Sequence, residues 1–197
     1  MLTKVTMQRQ QLFSMTQRMF ATIKVGDAFP SAKVGLVKHD GGSAGYQNST
    51  IDVAEYLANK KAVLVAIPGA FTPTCMGTHL PEFIRDASKI KAGGVDEIIC
   101  LTVNDPWVTT AFAEKLNGKQ HISYIADGNG ELCKKLGLEF DVTAALLGHR
   151  MRRASIIVSK GKVIEFNDEN GGKLTEVSCS TTIIKQVGKK WRFSKKG

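Results

Sequence analysis

The chain has 197 residues, 43% hydrophobic and 23% charged, a composition that fits one globular domain with a sizeable core. The longest apolar run, Ala62 to Phe71, is broken by Pro68 and Gly69 and falls well short of the ~20 residues of a spanning helix, so no membrane span is expected. The net charge is +9, but the basic residues are spread along the chain, which argues against a nucleic-acid partner. Cysteines stand at 75, 100, 133 and 179. With no CxxC and no Cys/His grouping at zinc spacing, they exclude a structural zinc site and a secreted disulfide scaffold; no cofactor or metal is expected.

Residues 1–26 hold no Asp or Glu but carry Lys4, Arg9, Arg18 and Lys24 among Ser, Thr and Gln. This is the make-up of an organellar transit peptide rather than a secretory signal, which would need a long apolar block. Arg18-Met19-Phe20-Ala21 resembles a matrix-processing site with cleavage after Phe20. Residues 1–20 are therefore predicted to be a mitochondrial transit peptide, with a plastid or cytoplasmic location as the alternatives. Residues 21–187 are predicted to form the domain, and 188–197 a basic C-terminal tail.

Lys24 to Pro30 reads as an extended lead-in. The Gly- and Ser-rich stretch 37–50 predicts a loop or hairpin, and Ser49 or Thr50 a cap for a short helix from Asp52 to Leu57. Ala62 to Ile67 is continuously apolar and rich in β-branched residues, as suits a strand covered on both faces. Met76, Leu80, Phe83, Ile84, Ala87 and Ile90 form one helical stripe, with Pro81 marking a kink or an irregular first turn. Glu97 to Val103 is a second buried strand. Asn104-Asp105-Pro106 opens a helix containing Val108, Phe112 and Leu116, with Pro106 in its first turn. Ser123 to Ala126 predicts a third strand, Glu131 to Leu136 a short helix, and Arg153–Val158 with Lys162–Phe166 a hairpin about Lys160 and Gly161. A last helix is expected from Ser178 or Ser180. This order defines an α/β protein with a central mixed sheet flanked by helices. The closing hairpin and helix fit a thioredoxin-like fold, although pattern alone leaves a flavodoxin-like one open.

Cys75 follows the first buried strand and begins a helix, where first-turn amides and the helix dipole favour an anion. A thiolate there is a nucleophile. A cysteine in such a place is as often a small buried hydrophobe, so the surrounding residues decide. Pro68 and Pro73 stiffen the turn, and Thr72 sets a hydroxyl three residues before the sulfur.

Pro68-x-x-x-Thr72-x-x-Cys75 resembles the active-site signature of the peroxiredoxins. The longer string Pro68-Gly-Ala-Phe-Thr-Pro-Thr-Cys75, with Thr78-His79-Leu80-Pro81, is similar to the atypical two-cysteine type 5 branch of animals, called type II in plants. Cys100 to Trp107, Tyr124 to Asn129 and Arg152 to Val158 agree with that branch, and the similarity runs from about Ile23 to about Val187. The resemblance implies a thioredoxin-like fold and a thiol peroxidase in which Cys75 attacks a hydroperoxide and becomes a sulfenic acid. It implies that Arg153 stabilises the thiolate and the peroxide oxygens, that Thr72 orients the peroxide and that Pro68 shields the site. Arg152 and Arg153 face opposite ways on a strand; Arg150 is a candidate accessory. His79 and Cys133 are read as structural helix residues.

The same resemblance offers two resolving cysteines. Cys179 matches the animal pattern and is favoured, because it begins a polar Ser/Thr stretch and is expected to be the more accessible. Cys100 matches the plant pattern but lies in an apolar strand. Direct reduction by glutathione or glutaredoxin, with thioredoxin as the other reductant, is the third route. The branch implies a monomer or a weak homodimer. Two other readings stand beside this one: a disulfide reductase, against which the missing CxxC counts, and a non-enzymatic redox sensor or basic binding or chaperone module.

Overall fold

A computed structural model describes residues 22–194. The expected transit peptide, residues 1–20, lies outside the described residues. A seven-stranded mixed sheet forms the centre of the fold. Its strands are β1 (Lys33–His39), β2 (Tyr46–Asp52), β3 (Lys61–Ile67), β4 (Glu97–Thr102), β5 (Ser123–Ala126), β8 (Ala154–Ser159) and β9 (Lys162–Asp168). Across the sheet they run β2-β1-β5-β4-β3-β8-β9. β3, β4 and β5 are parallel, while β1 and β8 pair antiparallel on either side of them.

The apolar run of β3 is continuous because both of its faces are covered. Ala62, Leu64 and Ala66 face one core with Val53, Leu57, Leu132 and Leu136. Val63, Val65 and Ile67 face another with Leu80, Phe83, Phe112 and Ile183. Each buried Leu, Ile or Phe is worth ~1.5–3 kcal/mol, so the two layers fix β3 and, with it, the turn that leaves its C-terminal end.

The helices are α1 (Val53–Leu57), α2 (Leu80–Arg85), α3 (Ala87–Ala92), α4 (Pro106–Leu116), α5 (Glu131–Leu136) and α6 (Ser180–Ser194). α4 starts as its sequence predicts: the Asp105 carboxylate accepts from the amides of Trp107 and Val108, and Pro106 takes the first turn. The cap of α1 is Asp52, not Ser49 or Thr50. All three belong to β2, whose pairing with β1 runs through Asp52; as the last residue of the strand, Asp52 adjoins α1 and turns its carboxylate onto the amides of Ala54 and Glu55. Stretch 37–50 is thus a hairpin rather than a loop.

The stripe from Met76 to Ile90 is not one helix. It opens with a π-helical turn, Cys75–His79, passes into α2 with Pro81 in its first turn, and breaks at Asp86, where φ is −95° and ψ 6°. A small two-stranded sheet, β6 (Glu139–Asp141) with β7 (His149–Met151), is an addition to the predicted elements. Strand β8 begins at Ala154, one residue later than expected. Lys160 and Gly161, both at positive φ, close the β8–β9 hairpin with the backbone twist that such two-residue turns need.

α6 is helical beyond Val187, the expected end of the domain. It is held at its start by Ser180, whose amide donates to Glu82 and whose hydroxyl donates to Asp86. Further along, Val187 lies so close to Gly93 that a Cβ there would come within 2.4 Å of it. Only glycine allows that approach.

Candidate active site

The residues that join β3 to the helix make a tight, partly strained turn. Pro68 and Gly69 are buried. The hydroxyl of Thr72 donates to the Gly69 carbonyl at 2.9 Å, and the Met76 amide donates to the Thr72 carbonyl. Phe71 has φ of +59°, a left-handed conformation that is costly for a side chain of this size. Its ring is held edge-on against Phe112 at 5.2 Å. Just past the end of β4, the Asn104 side chain accepts from the Ala70 amide at 2.9 Å and from the Thr102 hydroxyl at 2.8 Å. The loop is therefore tied to two strands.

Cys75 ends the turn and is fully buried. It starts the π-helical turn, a rare backbone form that concentrates at functional sites. Arg153, just before β8, is 1% exposed, and its guanidinium is turned into this site. One terminal nitrogen donates to Cys75 Sγ at 3.3 Å, the other to His79 Nδ1 at 2.9 Å, and Nε donates to the Gly172 carbonyl at 3.0 Å. A buried arginine stays charged, so it is a fixed cation beside the sulfur.

His79 is fully buried and packs edge-on against Phe83. Because Arg153 has only protons to give, Nδ1 must accept, and the imidazole proton sits on Nε2. From there it donates to the Ser178 carbonyl at 3.2 Å. Burial, and then the Arg153 charge, hold the imidazole neutral, its pKa lowered from 6.5 to about 4. Ser178 is in turn fixed by Glu169, which accepts from its amide and its hydroxyl. The sequence reading treats His79 as a helix residue. The structure makes it the link between Arg153 and the segment before α6. No spacing signal announces that link, since His79 and Ser178 lie 99 positions apart.

The three neighbouring arginines separate. Arg152 points away from Cys75 into an ion pair with Asp168 at 2.8 Å. Arg150 donates Nε–H to the Leu147 carbonyl at 2.7 Å. Its guanidinium lies against the turn that precedes Cys75, where a Cβ on Gly69 would sit 2.9 Å from it and 3.4 Å from the Thr72 methyl. Pro68 lies on the other side, near Gly172. The structure thus gathers Pro68, Thr72, Cys75 and Arg153 in one place, with Arg150 at the rim.

The other three cysteines are also free and buried. Cys100 lies in β4 in the same apolar layer as Cys75. Burial pushes its thiol well up, and the proximity of Cys75 adds to this. Cys179 is 8% exposed against 0% for Cys100, a small difference for two thiols expected to differ in access. Its Sγ donates to the Glu176 carbonyl at 3.0 Å. Cys133 donates to the Arg150 carbonyl, and burial followed by Asp127 and Glu139 pushes its thiol up to about 12. Among the described residues no cluster of His, Cys, Asp and Glu suits a metal ion.

A fixed cation, a hydroxyl and a buried sulfur at the head of a helix on this sheet define a class, that of thioredoxin-fold thiol enzymes. A family model described as Redoxin matches residues 24–181. The chain is 41% identical over 167 residues to Peroxiredoxin-2D of Arabidopsis thaliana, covering 85% of this chain and 99% of that protein. It is 40% identical over 139 residues to the mitochondrial Peroxiredoxin-2F of Oryza sativa subsp. japonica, covering 71% of this chain and 70% of that one. A solved structure of reduced Prx3 in complex with hydrogen peroxide, from Vibrio vulnificus, superposes with a TM-score of 0.74 at 38% identity, over 84% of this chain and 96% of its own. The chain belongs to the Redoxin family and, within it, to the peroxiredoxins: it is a thiol peroxidase on a thioredoxin-like fold.

Proposed function

We propose that Cys75 is the peroxidatic cysteine and that Arg153, Thr72 and Pro68 complete its site. The Cys75 thiolate attacks the distal oxygen of a hydroperoxide. The O–O bond breaks, the sulfur becomes a sulfenic acid, and the second oxygen leaves as water or an alcohol after taking up a proton. Arg153 offsets the charge of the thiolate and of the departing oxygen with directed N–H donors. The Thr72 hydroxyl turns from the Gly69 carbonyl to orient the peroxide, and Pro68 keeps bulk water off the sulfur. His79 acts as a positioning residue that holds Arg153. The observation that carries this reading is the 3.3 Å contact from the buried Arg153 guanidinium to Cys75 Sγ. Cys75→Ser is expected to abolish peroxide consumption with every reductant, a loss on the order of 10⁴-fold. Full activity in that variant would overturn the assignment.

For the second half-reaction the reading favours Cys179, whose thiol would displace the sulfenic oxygen as water and leave a Cys75–Cys179 disulfide. Both thiols are buried, and a disulfide needs its α-carbons within about 7 Å. The π-helical turn and the segment 176–179 must therefore unwind locally. Cys100 is the second candidate. Direct attack by a small thiol is the third route. Thioredoxin, glutaredoxin or glutathione would supply the electrons to a protein acting as a monomer or weak homodimer. Residues 1–20 are proposed as a transit peptide to the mitochondrial matrix, in line with the mitochondrial relative, with 21–187 as the enzyme and 188–197 as a basic end. Peptide mapping after one equivalent of peroxide separates the Cys75–Cys179 disulfide, the Cys75–Cys100 disulfide and a lasting sulfenic acid.

A further inference from the structure

Glu169 follows β9 directly and ties the end of that strand to the loop before α6. One of its carboxylate oxygens accepts from the Thr175 amide at 3.0 Å, the Ser178 amide at 3.0 Å and the Ser178 hydroxyl at 2.8 Å. The other accepts from the Thr175 hydroxyl at 2.6 Å. A carboxylate offers about four acceptor sites, and here one short loop takes them. Burial alone would raise the pKa of this carboxyl, but the bonds from Thr175 and Ser178 outweigh burial and hold it below its ordinary value. Glu169 is therefore ionised at neutral pH, its charge met by loop donors.

The main chain of Glu169 makes a further tie, because its amide donates to the Arg153 carbonyl at 3.0 Å. With the contacts at the site, this bond closes a ring. Glu169 holds Ser178, the Ser178 carbonyl accepts from His79, His79 accepts from Arg153, and the Arg153 backbone returns to Glu169. Cys75 hangs on this ring through the second terminal nitrogen of Arg153. In a closed network of this kind the orientation of each member depends on the others. Cys179 comes directly after Ser178, and neighbouring α-carbons lie ~3.8 Å apart. Its thiol donates to the Glu176 carbonyl within the loop. A movement that draws Cys179 out of the loop therefore takes Ser178 off His79.

We propose that Glu169 is a positioning residue that acts through Ser178 and His79 to hold Arg153 on Cys75, and that the same carboxylate latches the segment bearing Cys179. The ring has two settings that exclude each other. Closed, it directs Arg153 at Cys75 and withholds Cys179. Open, it releases Cys179 and leaves Arg153 without its clamp. The proposal rests on the peroxidase reading of Cys75, but not on Cys179 being the resolving cysteine.

Glu169→Gln keeps the shape of the side chain but removes its charge and one acceptor oxygen. Two opposite effects are expected. The second-order rate of Cys75 with hydrogen peroxide, read by stopped flow, should fall about five- to tenfold. In the Cys75→Ser background, alkylation of Cys179 by iodoacetamide, read by peptide mass mapping, should quicken about tenfold as the loop opens more often. Cys100 and Cys133, buried outside the loop, should keep their alkylation rates within about twofold. A carboxylate that only supported the fold would not separate the three thiols. An unchanged peroxide rate or an unchanged Cys179 rate overturns the proposal. If all three thiols react faster, the variant is loosened throughout and Thr175→Val decides. Thr175 is exposed, and this change removes one of the bonds to Glu169 while leaving its charge. Both rates should then shift about two- to fourfold in the same directions, with Cys100 and Cys133 unmoved; no shift in either overturns the proposal. Peroxide consumption undiminished in Cys75→Ser brings down the peroxidase reading itself, a failure in which the alkylation rates have no part.

Discussion

Cys75 and Cys100 are both fully buried and belong to the same apolar layer on one face of the sheet, yet they sit in opposite chemical worlds. Cys75 stands at the head of a helical turn with a guanidinium 3.3 Å from its sulfur. Cys100 is surrounded by the side chains of β3, β4 and β5, and burial holds it protonated. On the proposed assignment of Cys75 as the reactive thiol, depth in the protein is not what sets it apart. What differs is whether a compensating charge was buried with it, and Arg153 is the residue that carries that charge.

Removing the charge is the most direct way to break the contrast. Arg153→Gln should lower the second-order rate with hydrogen peroxide by about 10²-fold or more, measured by stopped flow on protein whose circular dichroism shows it folded. A loss under threefold would mean that the cation is not what sets Cys75 apart. Cys179→Ser tests the second half-reaction alone. Multiple turnover with a dithiol protein reductant should fall about tenfold while the first oxidation of Cys75 keeps its rate, since the variant leaves that site intact. Equal turnover in both proteins would shift resolution to Cys100 or to a small thiol.

His79→Gln should slow peroxide reduction by about three- to tenfold, because an amide can imitate only part of the bridge from Arg153 to Ser178. The substitution also has a pH signature. The unfolded chain protonates this imidazole near 6.5, the folded one only near 4. Between those values the unfolded state binds more protons, so stability falls as pH is lowered through the window and levels off below about 4. Urea midpoints of His79→Gln should lose this portion of the slope. The smallest effect is expected at Cys100→Ser: peroxidase activity within twofold of the parent, with stability lower by about 1–3 kcal/mol because a hydroxyl replaces a thiol in an apolar layer. A loss of activity there as deep as at Cys75 would erase the distinction.

Local chemistry made much of this legible in the sequence. The two-sided burial of β3, the Asp105–Pro106 start of α4, the Lys160–Gly161 turn and the helix-head position of Cys75 each follow from a few adjacent residues. What escaped depends on pairing at a distance. Ser49, Thr50 and Asp52 are all competent caps, and only the register of β1 with β2 selects Asp52. The three-residue strands β6 and β7 are too short to show an alternation. The break at Asp86 sits inside an unbroken apolar stripe. Arg153 was visible through its family resemblance, but its partners Gly172 and His79 were not. One is a backbone carbonyl, which any residue type supplies, and the other is joined to it only once the chain has closed.

That closure has a consequence for when the protein becomes dangerous to peroxide. Cys75 and its cation are 78 positions apart, and the loop that clamps the cation comes later still, at Gly172 and Ser178. A ribosome-bound fragment that ends before residue 153 carries Cys75 without its guanidinium neighbour. On the proposed reading of the site, the Cys75 sulfur lacks its activating charge until that later part of the chain has been made.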